Sequence, residues 1–143
     1  MESKDWLLLF IAEKPDNKEA KLDPIRIMKG MFYFTNKSNI PSIYEFEPYH
    51  LGPVSFSIYD DLDTLIETGY VTTEDVPGET WKNYLVTEAG LSQAQELKSQ
   101  TNAESLDILR EQKNLVSSLG FIDLLKKVYK EYPTYASESI FRF

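Results

Sequence analysis

Side chains able to do covalent or metal chemistry are sparse in this 143-residue chain. There is no cysteine, which removes disulfides, thiolate nucleophiles and thiolate-bound zinc together. His50 is the sole histidine. With no second imidazole or thiol it completes neither a usual zinc site nor a Cys-His pair, and its position beside Gly52-Pro53 suits a structural role at the start of a helix. Asp60-Asp61-x-Asp63 has the residue type of a hard-cation site. On a helix, however, Asp60 and Asp61 diverge by about 100°, and no second carboxylate motif accompanies them. No G-x-S-x-G elbow, Walker loop or dinucleotide-binding glycine pattern occurs. The residues therefore point to a non-enzymatic protein, with no catalytic residue, metal or cofactor expected.

Charge is the stronger pattern. From Ser38 to Thr80 the chain holds nine carboxylates (Glu45, Glu47, Asp60, Asp61, Asp63, Glu67, Glu74, Asp75 and Glu79) and neither lysine nor arginine. Phosphate binding depends on cations that displace condensed counterions, so this window opposes nucleic acid. The formal charge of the whole chain, -8, acts in the same direction. A chain of this length can bury roughly 70% of its unfolded surface, and 42% hydrophobic residues supply a core. The longest apolar run, Trp6 to Ala12, is too short to span a bilayer, and no basic segment with a small-residue cleavage site precedes it. A cytoplasmic protein without membrane contact is expected.

The elements that must position these residues follow from periodicity and punctuation. Asp5 to Lys14 reads as a helix stopped at Pro15, followed by a polar loop from Asp16 to Lys21. Asp23-Pro24 is an N-cap with proline at the first helical position, and Ile25, Met28, Met31, Phe32 and Thr35 recur at helical spacing to about Asn36. Asn39 to Pro48 reads as a loop leading into a short extended piece. Gly52-Pro53 marks the next helix start, with Val54, Ile58, Leu62, Leu65 and Ile66 as its apolar stripe and Gly69 as its left-handed C-cap. Tyr70 to Asp75 and Trp81 to Val86 form a hairpin around a Pro77-Gly78 turn. Thr87 and Asn102 cap two further helices, and Phe121 to Tyr132 is a last amphipathic one ended by Pro133. The fold class is mainly α with a small β-hairpin: a winged helix-turn-helix over residues 1–101, then a helical extension over 102–143 packed on it or on a dimer partner.

Leu65-Ile66-Glu67-Thr68-Gly69-Tyr70-Val71 resembles the L-x-x-x-G-L-I step closing the recognition helix of MarR-like and PadR-like regulators. Tyr84-Leu85-Val86-Thr87-Glu88-Ala89-Gly90 is similar to their Y-x-L-T-x-x-G step after the wing. Tyr49-His50-Leu51-Gly52-Pro53-Val54, followed by Tyr59-Asp60-Asp61-Leu62, resembles the Y/W-x-x-G-P-[VFY] signature of YwgA-like proteins and of the SocA/Panacea antitoxin-type domain. Asp23 to Phe32 is similar to the preceding helix of the YwgA-like group. The resemblance covers about residues 20 to 100. It implies a winged-helix regulator or an antitoxin-like adaptor, and leaves ligand, operator and toxin undefined.

With Ile58, Leu62 and Leu65 inward, Phe56, Tyr59, Asp60, Asp63 and Glu67 face outward. Readers of the major groove place Arg, Lys, Asn or Gln at such positions. Two aromatics ringed by acids instead match the anchor and rim of a protein-binding surface, or else an aromatic packed on the extended segment beside a solvated acidic face. The cations are elsewhere: Arg26, Lys29 and Lys37 around the second helix, Lys82 in the hairpin, and Lys126, Lys127 and Lys130 on the last helix. They fit three uses: complementary faces of a homodimer, DNA phosphate contacts from Arg26, Lys29, Lys37 and Lys82, or ordinary solvation. The expected function is a regulatory module that binds a protein partner, a second copy of itself, or both, the alternative being a dimeric DNA-binding regulator. The tail from Ser137, with Ile140, Phe141 and Phe143, is expected to dock rather than hang free.

Overall fold

Seven consecutive apolar residues cannot all face one side of a helix, so a helix made from Trp6 to Ala12 has to be surrounded. In the computed structural model, which describes residues 1–14, 21–40 and 42–143, helix α1 (Ser3–Ala12) is buried on every side over that whole run. The Asp5 carboxylate accepts the Glu2 backbone N–H at 2.8 Å and starts the helix. The stop expected at Pro15 and the loop expected from Asp16 lie outside the described residues, Lys21 excepted.

Helix α2 (Pro24–Lys37) begins as expected, with the Asp23 carboxylate accepting the Arg26 N–H at 2.8 Å. Its buried surface is wider than the expected stripe, because every residue from Ile27 to Phe34 is enclosed. Glycine at position 30 permits part of this packing: a β-carbon there would lie 2.1 Å from Cζ of Phe10, so the two helices touch through a bare backbone.

Gly52-Pro53 does not start a helix, contrary to expectation. Strands β1 (Glu47–Tyr49) and β2 (Gly52–Val54) pair antiparallel, Glu47 opposite Val54 and Tyr49 opposite Gly52. Gly52 sits at φ +94°, a region L-residues avoid, and Pro53 needs no donor in a two-stranded ladder with free edges. Val54 thus belongs to β2, and helix α3 (Ser57–Thr68) starts only after it. The extended piece expected before Pro48 is also displaced, to the end of its window.

From α3 onward expectation and structure agree closely, except that Ile66, expected on the inward stripe, is exposed. Ile58, Leu62 and Leu65 face inward, and Gly69 at φ +86° ends the helix. Strands β3 (Val71–Asp75) and β4 (Lys82–Val86) pair antiparallel from Val71 opposite Val86 to Asp75 opposite Lys82. Gly78 at φ +80° and the Glu79 N–H to Val76 carbonyl bond of 3.0 Å close the turn. Thr87 Oγ1 accepts the Gly90 N–H at 3.0 Å to cap helix α4 (Glu88–Ser99), and Asn102 caps helix α5 (Ala103–Ser118) through the Ser105 N–H at 2.8 Å. Helix α6 (Phe121–Glu131) and a 3-10 turn, Pro133–Ala136, follow. The protein is mainly helical, with six α-helices and two small antiparallel two-stranded sheets among the described residues.

Leu109 and Val116 of α5 and Leu124 and Val128 of α6 join the same core as α1 and α2. The tail docks on its own chain: the Ile140 N–H reaches the His50 carbonyl at 3.0 Å, and the Phe121 and Phe141 rings meet edge-on at 5.5 Å. Among the described residues no helix is long and apolar enough to cross a membrane.

Gly30→Ala sets two effects against each other. Alanine gains about 1 kcal/mol in helix propensity, but its methyl group collides with a Phe10 ring that has no exposed surface. Overpacking costs about 1–3 kcal/mol and wins, so Gly30→Ala lowers the urea unfolding midpoint, and Phe10→Leu in the same chain restores part of the loss.

Candidate binding surface

The inward turn of Ile58, Leu62 and Leu65 leaves a continuous outer face on α3. Tyr59, Asp60, Asp63 and Glu67 are all exposed on it, and Phe56, at the N-cap, is 49% exposed. Phe56 packs in part on the extended segment, as one of the two expectations had it, and remains half exposed. Its ring packs edge-on against Tyr49 of β1 at 5.4 Å, and Tyr49 stacks on His50 at 4.3 Å. The result is an exposed aromatic ledge anchored on the β1–β2 hairpin rather than a buried contact. Partial burial raises the Tyr59 phenol above its ordinary pKa, so it stays an uncharged donor at neutral pH.

Asp61 departs from its neighbours. Its carboxylate turns inward, accepting hydrogen bonds from Ser3 Oγ at 2.7 Å and from the Tyr44 hydroxyl. The three aspartates therefore do not converge, and no group of three or more potential metal ligands comes together among the described residues. Burial, then the Asp61 hydrogen bond, pushes the Tyr44 phenol well above its usual range.

Beside the ledge runs an apolar groove formed by the start of α2, the β1–β2 turn, α3 and the tail. One concavity of about 300 Å³ includes Ile25, Lys29, Tyr49, His50, Phe56 and Tyr59 in its wall. A second, of about 580 Å³, shares Pro24, Ile25, Leu51 and Tyr59 with it and extends to Trp81 and Phe121. Tyr59 thus stands between two hollows. Tyr49, Trp81 and Ile140 were not singled out as surface-site residues in the sequence. Tyr49 ends β1 and Trp81 precedes β4, positions where an aromatic is as readily core as surface, and Ile140 reaches the groove through tertiary docking.

The four candidate phosphate contacts do not form one surface. Arg26 lies along the protein: its guanidinium pairs with Asp23 and donates to the carbonyls of Val116 at 3.0 Å and Leu119 at 2.8 Å. Lys29 is only 3% exposed, and its ammonium donates to the Leu51 carbonyl beneath the β1–β2 turn. Lys37 lies eleven residues beyond Arg26 on α2, about 16 Å along the axis, with its ammonium 5.9 Å from the centre of the Tyr33 ring. Lys82 is exposed on β4 and faces Asp75 at 3.6 Å. Helical periodicity could not separate Lys29 from a solvent-facing lysine, because α2 is enclosed around most of its circumference. No protein-family model matches this chain, and no curated protein matches it.

Desolvation lowers the Lys29 pKa from 10.5 to about 8, against the opposing pull of Asp23. An amine that holds its proton more weakly when folded contributes least stability below pH 8, where both states are protonated. Its contribution rises between pH 8 and 10.5, where only the unfolded chain stays charged. Relative to Lys29→Met, the unmodified protein should gain up to about 3 kcal/mol across that window. Urea unfolding of both proteins across the window checks this, and the difference cancels the loss above pH 10 as tyrosines ionise in the unfolded chain.

Proposed function

We propose that the chain is a non-enzymatic winged-helix regulatory module of the antitoxin or adaptor kind, acting mainly through protein-protein contacts. The order α1, α2, α3, β3–β4, α4 supports the winged-helix reading, with α3 in the recognition position and β3–β4 as the wing. The contact face consists of Phe56 and Tyr59 as apolar anchors and Asp60, Asp63 and Glu67 as the charged rim. One observation carries the reading. Where a groove reader would present cations, the exposed face of α3 offers aromatics and acids, while Arg26 and Lys29 bond inward to backbone carbonyls. The partner that fits is a protein with an apolar socket bordered by Lys or Arg.

Affinity capture from the native host, followed by measurement with the purified companion, tests this. Truncating Phe56 or Tyr59 to alanine should each weaken binding by about tenfold or more, equivalent to about 1.4 kcal/mol. Asp60→Asn with Asp63→Asn should chiefly slow association and flatten its salt dependence. Companions held unchanged by both alanine variants would refute the face. Tight binding to mixed duplex DNA, with affinity falling at a log-log slope of about 0.9 per phosphate contacted, would instead support the dimeric DNA-binding regulator.

A further inference from the structure

The smaller concavity has a composition that contrasts with the rest of the protein. The chain carries 23 carboxylates, yet none lines this hollow. Its wall includes one ammonium, Lys29, and one imidazole, His50, among aromatic and aliphatic groups. Lys29 is almost wholly enclosed, and its acceptor among the described residues is a single backbone carbonyl, that of Leu51. An ammonium has three donors, so two remain for a further acceptor. Asp23, already paired with Arg26, offsets only part of the desolvation of this ammonium, and an anion beside it would offset more.

We infer that this hollow is a binding site for a small apolar monocarboxylate, with its acid group paired to Lys29 and its ring or short hydrocarbon body held among Ile25, Tyr49, Phe56 and Tyr59. A volume of about 300 Å³ lies at the lower end of small-molecule sites and fits one ring with a short chain. A monoanion suits the site better than a phosphate ester, because the exposed acids Asp60 and Asp63 lie on the neighbouring face and repel a second charge. The hollow shares Phe56 and Tyr59 with the proposed contact face, but the pairing of an acid with Lys29 does not rest on that reading, and its test needs no partner.

3-Phenylpropionate and its neutral primary amide are the probes, titrated into the full chain near pH 7 by calorimetry and by ligand-observed NMR. The acid should bind about tenfold or more tightly than the amide, the gain expected of a charge-assisted pair over a neutral one. Lys29→Met, with folding checked by circular dichroism and thermal unfolding, should erase the difference between the two ligands. Ile25→Trp, which fills the hollow while keeping the amine, should remove binding of both. Equal affinity for acid and amide, absence of binding by both methods, or an acid preference that persists in folded Lys29→Met would each overturn the assignment. Should Lys29→Met fail to fold, the comparison of acid with amide in the unmodified chain and in Ile25→Trp decides.

Discussion

A helix apolar on all sides ends inside the protein, and its last carbonyls then have no water to bond. That constraint governs α1. Among the described residues, the donor that meets it is Lys113 of α5, which has no exposed surface and whose ammonium bonds the carbonyls of Ile11, at 2.7 Å, and Glu13. The Glu13 carboxylate is itself enclosed and held by Arg110 at 2.8 Å and Lys98 at 3.6 Å. A buried carbonyl left without a donor costs about 1–3 kcal/mol, and a buried ammonium left without acceptors costs more. The polar cluster therefore ties α5 to the end of α1.

The same device recurs at two other places. Arg26 closes the carbonyls near the end of α5, and Lys29 closes the Leu51 carbonyl at the β1–β2 turn. Three long cationic side chains thus act as interior helix and turn caps, their stems packed among apolar groups. With these cations turned inward, the outward face of α3 keeps its negative sign. Architecture and surface charge are linked in this way: Lys29 and Lys113 are spent on interior carbonyls, while the exposed face of α3 carries Asp60, Asp63 and Glu67.

Local signals were easy to read wherever a single residue decides the backbone. Asp23-Pro24, Pro77-Gly78, Gly69, Thr87 and Asn102 each did so, and the turn and caps they imply are present. Gly52-Pro53 misled because proline fits the first turn of a helix and the edge of a strand equally well. Only the pairing with Glu47 to Tyr49 distinguishes them, and the two residues that turn between the strands, His50 and Leu51, carry none of the Asn-Gly or Gly-X chemistry that marks a tight hairpin. The outward residues of α3 followed from the 3.6 period, but the groove beside them did not, since it needs α2, the β1–β2 turn and the tail to converge. Lysine at positions 29 and 113 is the hardest case. Charge argues for the surface, and only knowledge of which carbonyls end in the interior would place either residue inside.

The buried cluster at the end of α1 also bears on how the protein is made. Lys113 lies 102 residues beyond Ile11, so α1 leaves the ribosome long before the side chain that closes its carbonyls has been translated. Until then a helix meant to be surrounded has part of its apolar surface uncovered, the condition under which nascent chains recruit chaperones or associate with one another. Completion of the fold is thereby deferred until α5 has emerged, and a ribosome stalled before that point would carry a segment prone to aggregation.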